Sequence, residues 1–139
     1  MKTNLDGIFK TDSKMEEEGN WFNISDEIGF LLRRFNDSNP NVRKAMATYF
    51  KPYARQIDMG TMDPAKEREI MVKLFVNSSM INWRGIEIEG KAAEFSTTLA
   101  VKFFLGLPDL FETLMKYAQD FRNFKLEEDE GSKEDLGNS

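Results

Sequence analysis

The chain has 139 residues and a net charge of −5, with no cysteine and no histidine. That sets it at the size of one domain and removes disulfides, thiolate chemistry and the usual acid–base and metal-ligating side chain near neutral pH. No apolar run approaches the roughly 18–20 residues that cross a bilayer.

The opening stretch MKTNLDGIFKTDSKMEEEG lacks the apolar centre of a signal peptide, so a soluble chain is expected in the compartment where it is made. Charge is unevenly placed. Residues 1–125 carry 18 basic and 18 acidic side chains, whereas residues 126–139, LEEDEGSKEDLGNS, carry six acids and one lysine. The net charge therefore belongs to that tail, which is expected to be disordered. Ahead of it, residues 1–125 are expected to form one globular domain. Its first segment, residues 1–19, reads as a polar lead with one apolar knot of Leu5, Ile8 and Phe9.

In chain order, WFNI at 21–24 and IGFLLRR at 28–34 alternate in the manner of strands, and Ser25-Asp26-Glu27 joins them as a hairpin. Asn39-Pro40 supplies an N-cap acceptor followed by proline at the first helical position. Val42, Ala45, Met46, Tyr49, Phe50 and Tyr53 then recur at helical spacing, and Pro52 within that pattern predicts a kink or an end near Lys51. Asp63-Pro64 repeats the start signal for a helix from about Pro64 to Asn82, with Ile70, Met71, Leu74, Phe75, Ser78 and Ile81 on its buried stripe.

The stretch NWRGIEIEGKAAEFSTT reads as a joint between helices. Trp83 packs over it, while Gly85 and Gly90 let the backbone turn, with a short hairpin around Glu89-Gly90. These three residues are assigned to determining the fold. Ser96 caps the next helix, TTLAVKFFL. Gly106-Leu107-Pro108 stops that helix, and Pro108-Asp109 opens the last one, lined by Leu110, Leu114, Tyr117, Phe121 and Phe124. The expected fold class is α+β, predominantly α-helical: a small N-terminal β-hairpin followed by four or five helices, with a disordered acidic C-terminal tail.

Reactive chemistry finds little support. Glu87 with Glu89, or Asp109 with Glu112, would suit glycoside hydrolysis only if held at a set separation across a cleft, and an acid-rich chain produces such spacings freely. Ser96-Thr97-Thr98 has no evident base to activate a hydroxyl, and no phosphate-cradling motif is present. A zinc site would need carboxylates alone, which is rare. No catalytic residue, metal or cofactor is assigned, and an enzyme is not expected.

Two surface readings remain. Residues 33–55 hold Arg33, Arg34, Arg43, Lys44, Lys51 and Arg55 against the single acid Asp37, with Phe35, Tyr49, Phe50 and Tyr53 interleaved. Such a patch tracks phosphates and stacks bases. It equally describes the core stripe and the wet side of one helix, and a pI near 4.9 opposes a dedicated nucleic-acid binder. Secondly, the 12 Phe and eight Met exceed what one small core is expected to hold. Met59, Met62, Met80, Phe103 or Phe104, Phe111 and Met115 are the surplus, and thioethers beside aromatics suit a surface that accepts apolar partners.

The succession GIFKTDSKMEEEGNWFNI, FLLRRFNDSNPNVRKAM, INWRGIEIEGKAAEFS and FFLGLPDLFETLMKYAQDFRNF resembles the tail assembly chaperones of long-tailed bacteriophages over about residues 5–125. The shared features are a lead ending in Glu-Gly before an aromatic-started strand, an arginine-containing strand before an Asn-rich helix start, a Trp-Gly-Ile turn, and a Leu-Pro-Asp-Leu helix. The resemblance implies a non-enzymatic protein of the host bacterial cytoplasm, absent from the mature virion. Such a protein binds the tape measure protein, keeps it soluble and helps recruit tail tube subunits; many relatives also have a longer, frameshifted form.

On that reading Phe103, Phe104, Phe111 and Met115 are expected to give apolar contact in helix-in-groove fashion. Arg33, Arg34, Arg43 and Lys44 are expected to give charge complementarity. The rival expectations are a small nucleic-acid-binding regulator that uses residues 33–55, and a structural minor tail or connector protein of the virion.

Overall fold

The computed structural model describes residues 1–126. Strand β1 (Asn20–Asn23) and strand β2 (Gly29–Leu32) pair antiparallel, Asn20 opposite Leu32 and Asn23 opposite Gly29. Their turn is closed by the Ile24 and Ser25 amides donating to the Ile28 carbonyl, while Ser25 Oγ accepts from the Ile28 amide. This is the expected hairpin, and a mostly helical α+β fold is built on it.

The helix starts follow the capping residues. Asn39 Oδ1 accepts from the Asn41 amide at the head of α3 (Pro40–Ala45), Asp63 Oδ1 from Ala65 at α5 (Pro64–Ser79), and Ser96 Oγ from Leu99 at α6 (Thr97–Gly106). Helix α7 (Pro108–Gln119) begins on its proline. Pro52 has the expected effect. Beyond α3 the backbone widens to a π turn over Met46–Phe50, tightens to a 3-10 turn over Lys51–Tyr53 and resumes as α4 (Ala54–Asp58). A ring that removes a donor and crowds the preceding turn forces such a change of pitch.

Two helix ends depart from expectation: α7 stops at Gln119, so that Phe121 and Phe124 lie on a separate 3-10 turn, and α5 ends early as well. Helix α5 stops at Ser79 rather than near Asn82, and Met80–Arg84 form a third strand, β3, beside β2 in the order β1-β2-β3. The register sets Phe30 opposite Trp83 and Leu32 opposite Met80, with a bulge between. The Arg33 amide donates to the Ser79 carbonyl at 2.7 Å, drawing the helix end onto the chain leaving β2. Pairing with an open strand edge outweighs the helical spacing of Ile81. After β3 come β4 (Glu87–Ile88) and β5 (Lys91–Ala92), joined by Glu89 and Gly90 at φ 51° and 78°. That is the positive-φ pair of a tight hairpin turn.

The core surrounds α5. Val72, Leu74, Phe75, Val76 and Ser78 are fully buried, more of the helix circumference than a single stripe. Helix α5 touches α3, α6 and α7 and leads into β3, so it is a central helix covered by neighbours. Phe30, Leu32, Trp83, Phe104, Leu114 and Ala118 join the same cluster.

The lead folds too. Helix α1 (Asn4–Phe9) begins with a capping box between Thr3 and Asp6, and α2 (Ser13–Glu18) is capped by Asp12. Both are fastened to the far end of the chain. The Asp12 amide donates to the Phe124 carbonyl, the Leu126 amide donates to the Lys10 carbonyl, and Thr11 bridges Lys125. Beyond Leu126, the tail lies outside the described residues.

Candidate protein-binding surface

The joint around Trp83 is a packing device. Trp83 is 5% exposed, meets Phe95 edge-on at 5.2 Å and Phe103 at 5.6 Å, and donates its indole Nε1 to the Ala93 carbonyl at 2.8 Å. An open recess of about 650 Å³ runs beside it, bordered by Arg84, Ile86, Glu87, Glu94 and Phe95. Arg84 is already occupied, its guanidinium 4.6 Å from the Trp21 ring centre and bonded to Asn23 Oδ1. A second recess, about 340 Å³, lies among Tyr49, Lys73, Asn77, Thr97, Thr98 and Val101. Its lysine is held by Glu69 at 2.8 Å.

Phe103, Phe104, Phe111 and Met115 do not form a groove. Phe104 is wholly buried, with Phe30, Phe75 and Phe111 ring centres 6.2–6.3 Å away, so no partner reaches it. Phe111 meets Phe75 edge-on at 5.5 Å, and Phe103 and Met115 are half-buried against the same cluster. Met62 and Met80 are buried as well, and of the named surplus Met59 stands exposed. The physical reason is the central position of α5: a helix buried on several sides needs more apolar cover than one stripe does.

The four basic residues also separate. Arg33 donates Nε to the Glu17 carbonyl at 2.8 Å. Arg34 lies 3.5 Å from Glu16, both side chains 17% exposed, so these two arginines fasten α2 to the sheet. Arg43 donates to the Asp37 carbonyl at 2.7 Å; it and Lys44 lie exposed on α3. The aromatics Tyr49, Phe50 and Tyr53 are half-buried, leaving no row of free rings beside the charges.

The exposed apolar face lies elsewhere. Leu5, Ile8 and Phe9 on α1 are 59, 50 and 60% exposed, and Leu126 beside them is 45% exposed. Phe9 stacks on Phe121 at 5.5 Å, which extends the face onto the 3-10 turn Phe121–Phe124. Positions 5, 8 and 9 are neighbours on one helical surface, and α1 buries no residue. These exposed apolar side chains are the candidate protein-binding surface. The knot was legible in the sequence, whereas its partner Phe121 was not.

Asp120 secures the turn that carries Phe121. Its carboxylate accepts from the Arg122 amide at 3.0 Å and from the Arg122 guanidinium at 2.7 Å. The guanidinium hydrogen bond, with the amide bond second, holds the carboxyl at about 2 against an ordinary 3.8. The depressed value fixes the sign: the contribution is complete above the unfolded value and is lost as pH falls through the folded one. Carbon-detected NMR titration is expected to place Asp120 near about 2, with Arg122→Gln raising it towards the ordinary value. The pair is solvent-exposed, so the matching change in stability is small.

Among the described residues no cluster of carboxylates is placed to hold a metal ion, and no helix is long and apolar enough to cross a membrane. Fold and surface together define a small α+β domain that presents an apolar face where its first helix meets its last described turn. The chain matches the model of the YdaY prophage protein family over residues 37–138; it belongs to that family and is a phage-derived protein. The matched span takes in α3 to α7 and β3 to β5, while the lead, β1 and β2 precede it. Comparison with curated proteins and with solved structures gave no match.

Proposed function

We propose that this prophage protein is a non-enzymatic tail assembly chaperone. It binds apolar helical segments of the tape measure protein in the host cytoplasm, keeps them soluble and helps recruit tail tube subunits. The observation that carries this reading is the exposed stripe of Leu5, Ile8 and Phe9, extended by Phe121 on which Phe9 stacks. A short helix that spends its apolar side chains on solvent gains from covering another helix's stripe. Many copies along one long polypeptide hold it through modest individual affinities. The prophage family and the order of motifs along the chain support the same reading.

Co-expression with the tape measure protein of the same prophage tests it. The soluble yield of that protein is expected to rise several-fold, and Ile8→Ser with Phe9→Ser is expected to abolish the rise while leaving the chain folded. An unchanged yield with the intact chain overturns the proposal. Purified particles that contain the chain would favour the structural virion protein instead. The nucleic-acid reading draws little from the geometry, because Arg33 and Arg34 are engaged in holding α2.

A further inference from the structure

We infer that the outer edge of β3 is a docking surface distinct from the α1 face, which takes an extended protein segment bearing lysine or arginine as an added strand. In the order β1-β2-β3, β3 pairs on one side with β2, and among the described residues no strand lies on its other side. Backbone bonds of an antiparallel pair fall on every second residue. The Ile24 amide bonded to the Ile28 carbonyl sets that phase, so Phe30 turns its amide and carbonyl to β1, while Gly29 and Leu31 turn theirs to β3. Their partners in register are Arg84 and Asn82, whereas Trp83 stands opposite Phe30. The amide and carbonyl of Trp83 therefore point to the outer edge. There the Trp83 amide donates to Asn82 Oδ1 at 2.9 Å. That carboxamide oxygen holds the place of the carbonyl that a fourth strand would bring.

The edge opens on the recess of about 650 Å³ beside Trp83, which Ile81, Asn82, Ile86, Glu87, Glu94 and Phe95 border. An open strand edge is a template for pairing unless lysine, proline or a covering element guards it. The sole charged side chain of β3, Arg84, lies against Trp21 and Asn23 on β1, and β3 has no proline. The other charges on the recess are Glu87 and Glu94, both exposed. Lys91, on the far arm of the β4–β5 hairpin, does not border it. An incoming strand gains main-chain bonds to Trp83 and brings every second side chain over Ile86 and Phe95. Charge complementarity with the two carboxylates selects lysine or arginine over glutamate. A second copy of this edge would bring the same two glutamates to the contact and meet repulsion there.

The test uses the full chain and a labelled heptapeptide of alternating valine and lysine, read by fluorescence anisotropy and amide NMR shifts. Binding is expected to shift the Trp83 amide. Two further peptides carry N-methyl groups on the backbone amides of the valines or of the lysines. One of them is expected to lose at least ~10-fold in affinity and the other to stay within about threefold, because an added strand bonds along one edge only. A valine–glutamate peptide is expected to bind at least ~10-fold more weakly, and Glu87→Gln with Glu94→Gln to cut that preference to about threefold or less. No binding, equal effects of the two methylation patterns, a preference unmoved by the glutamine substitutions, or an unshifted Trp83 amide overturns the inference. Sedimentation equilibrium of the chain alone judges the other occupant. A dimer whose formation shifts the Trp83 amide shows that a second copy fills the edge, and overturns the inference too.

Discussion

Trp83→Ala is expected to lower the stability of the domain by about 3–5 kcal/mol, read as a fall in the urea midpoint with an unchanged slope. The indole is buried against Phe95 and Phe103 and stands opposite Phe30 across the sheet. Truncation would therefore open a cavity between β3 and α6. It would also strand the Ala93 carbonyl, which accepts from the indole at 2.8 Å, and that bond is what ties the chain leaving the β4–β5 hairpin to β3. Trp83→Phe keeps most of the volume and loses the bond, so it is expected to cost about 1 kcal/mol for the bond and less than the alanine overall. A melting temperature unchanged by Trp83→Ala would mean that the joint is held by something else.

Gly85→Ala carries the second large effect, and for a different reason. Gly85 sits at φ 75°, and an added Cβ would overlap the Glu27 carbonyl oxygen and lie 2.8 Å from its carbonyl carbon. The left-handed conformation alone costs an alanine about 1–2 kcal/mol. The overlap is with backbone in the β1–β2 turn, which cannot swing aside as a flexible side chain would. A total of about 4 kcal/mol or more is expected, at the exceptional end for one substitution, measured by the same unfolding curve. Gly90→Ala provides the control. Gly90 has nearly the same φ, 78°, but nothing lies within 4 Å of its would-be Cβ, so only the conformational term of about 1–2 kcal/mol applies. Equal losses at the two positions would show that the contact with Glu27 is unimportant.

Local chemistry made much of this fold readable. Capping residues at Asn39, Asp63 and Ser96 and the prolines beside the first two placed three helix starts, because a cap is a hydrogen bond between near neighbours in sequence. Pro52 announced a change of pitch for the same kind of reason. What stayed hidden were pairings between distant segments. Strand β3 forms because β2 offers an edge, and Met80 to Arg84 show no alternation strong enough to announce it. The burial of Phe104 and Phe111 depends on α5 being central, which depends in turn on how α3, α6 and α7 surround it. The apolar face was half visible: Leu5, Ile8 and Phe9 are helically spaced, but whether solvent or protein covers them is decided by Phe121 at the other end of the chain.

Those contacts between chain ends carry a consequence for biosynthesis. The Asn20 side chain donates to the Tyr117 hydroxyl at 2.9 Å and to the Asn123 carbonyl at 2.8 Å, partners 97 and 103 residues downstream. Together with the bonds from Asp12 to Phe124 and from Leu126 to Lys10, these contacts mean that the opening segment and β1 cannot dock before residues 117–126 have been made, since such distant pairings close late. Until then Phe9 lacks the ring of Phe121 on which it stacks, and Leu5, Ile8 and Phe9 are open to other nascent chains.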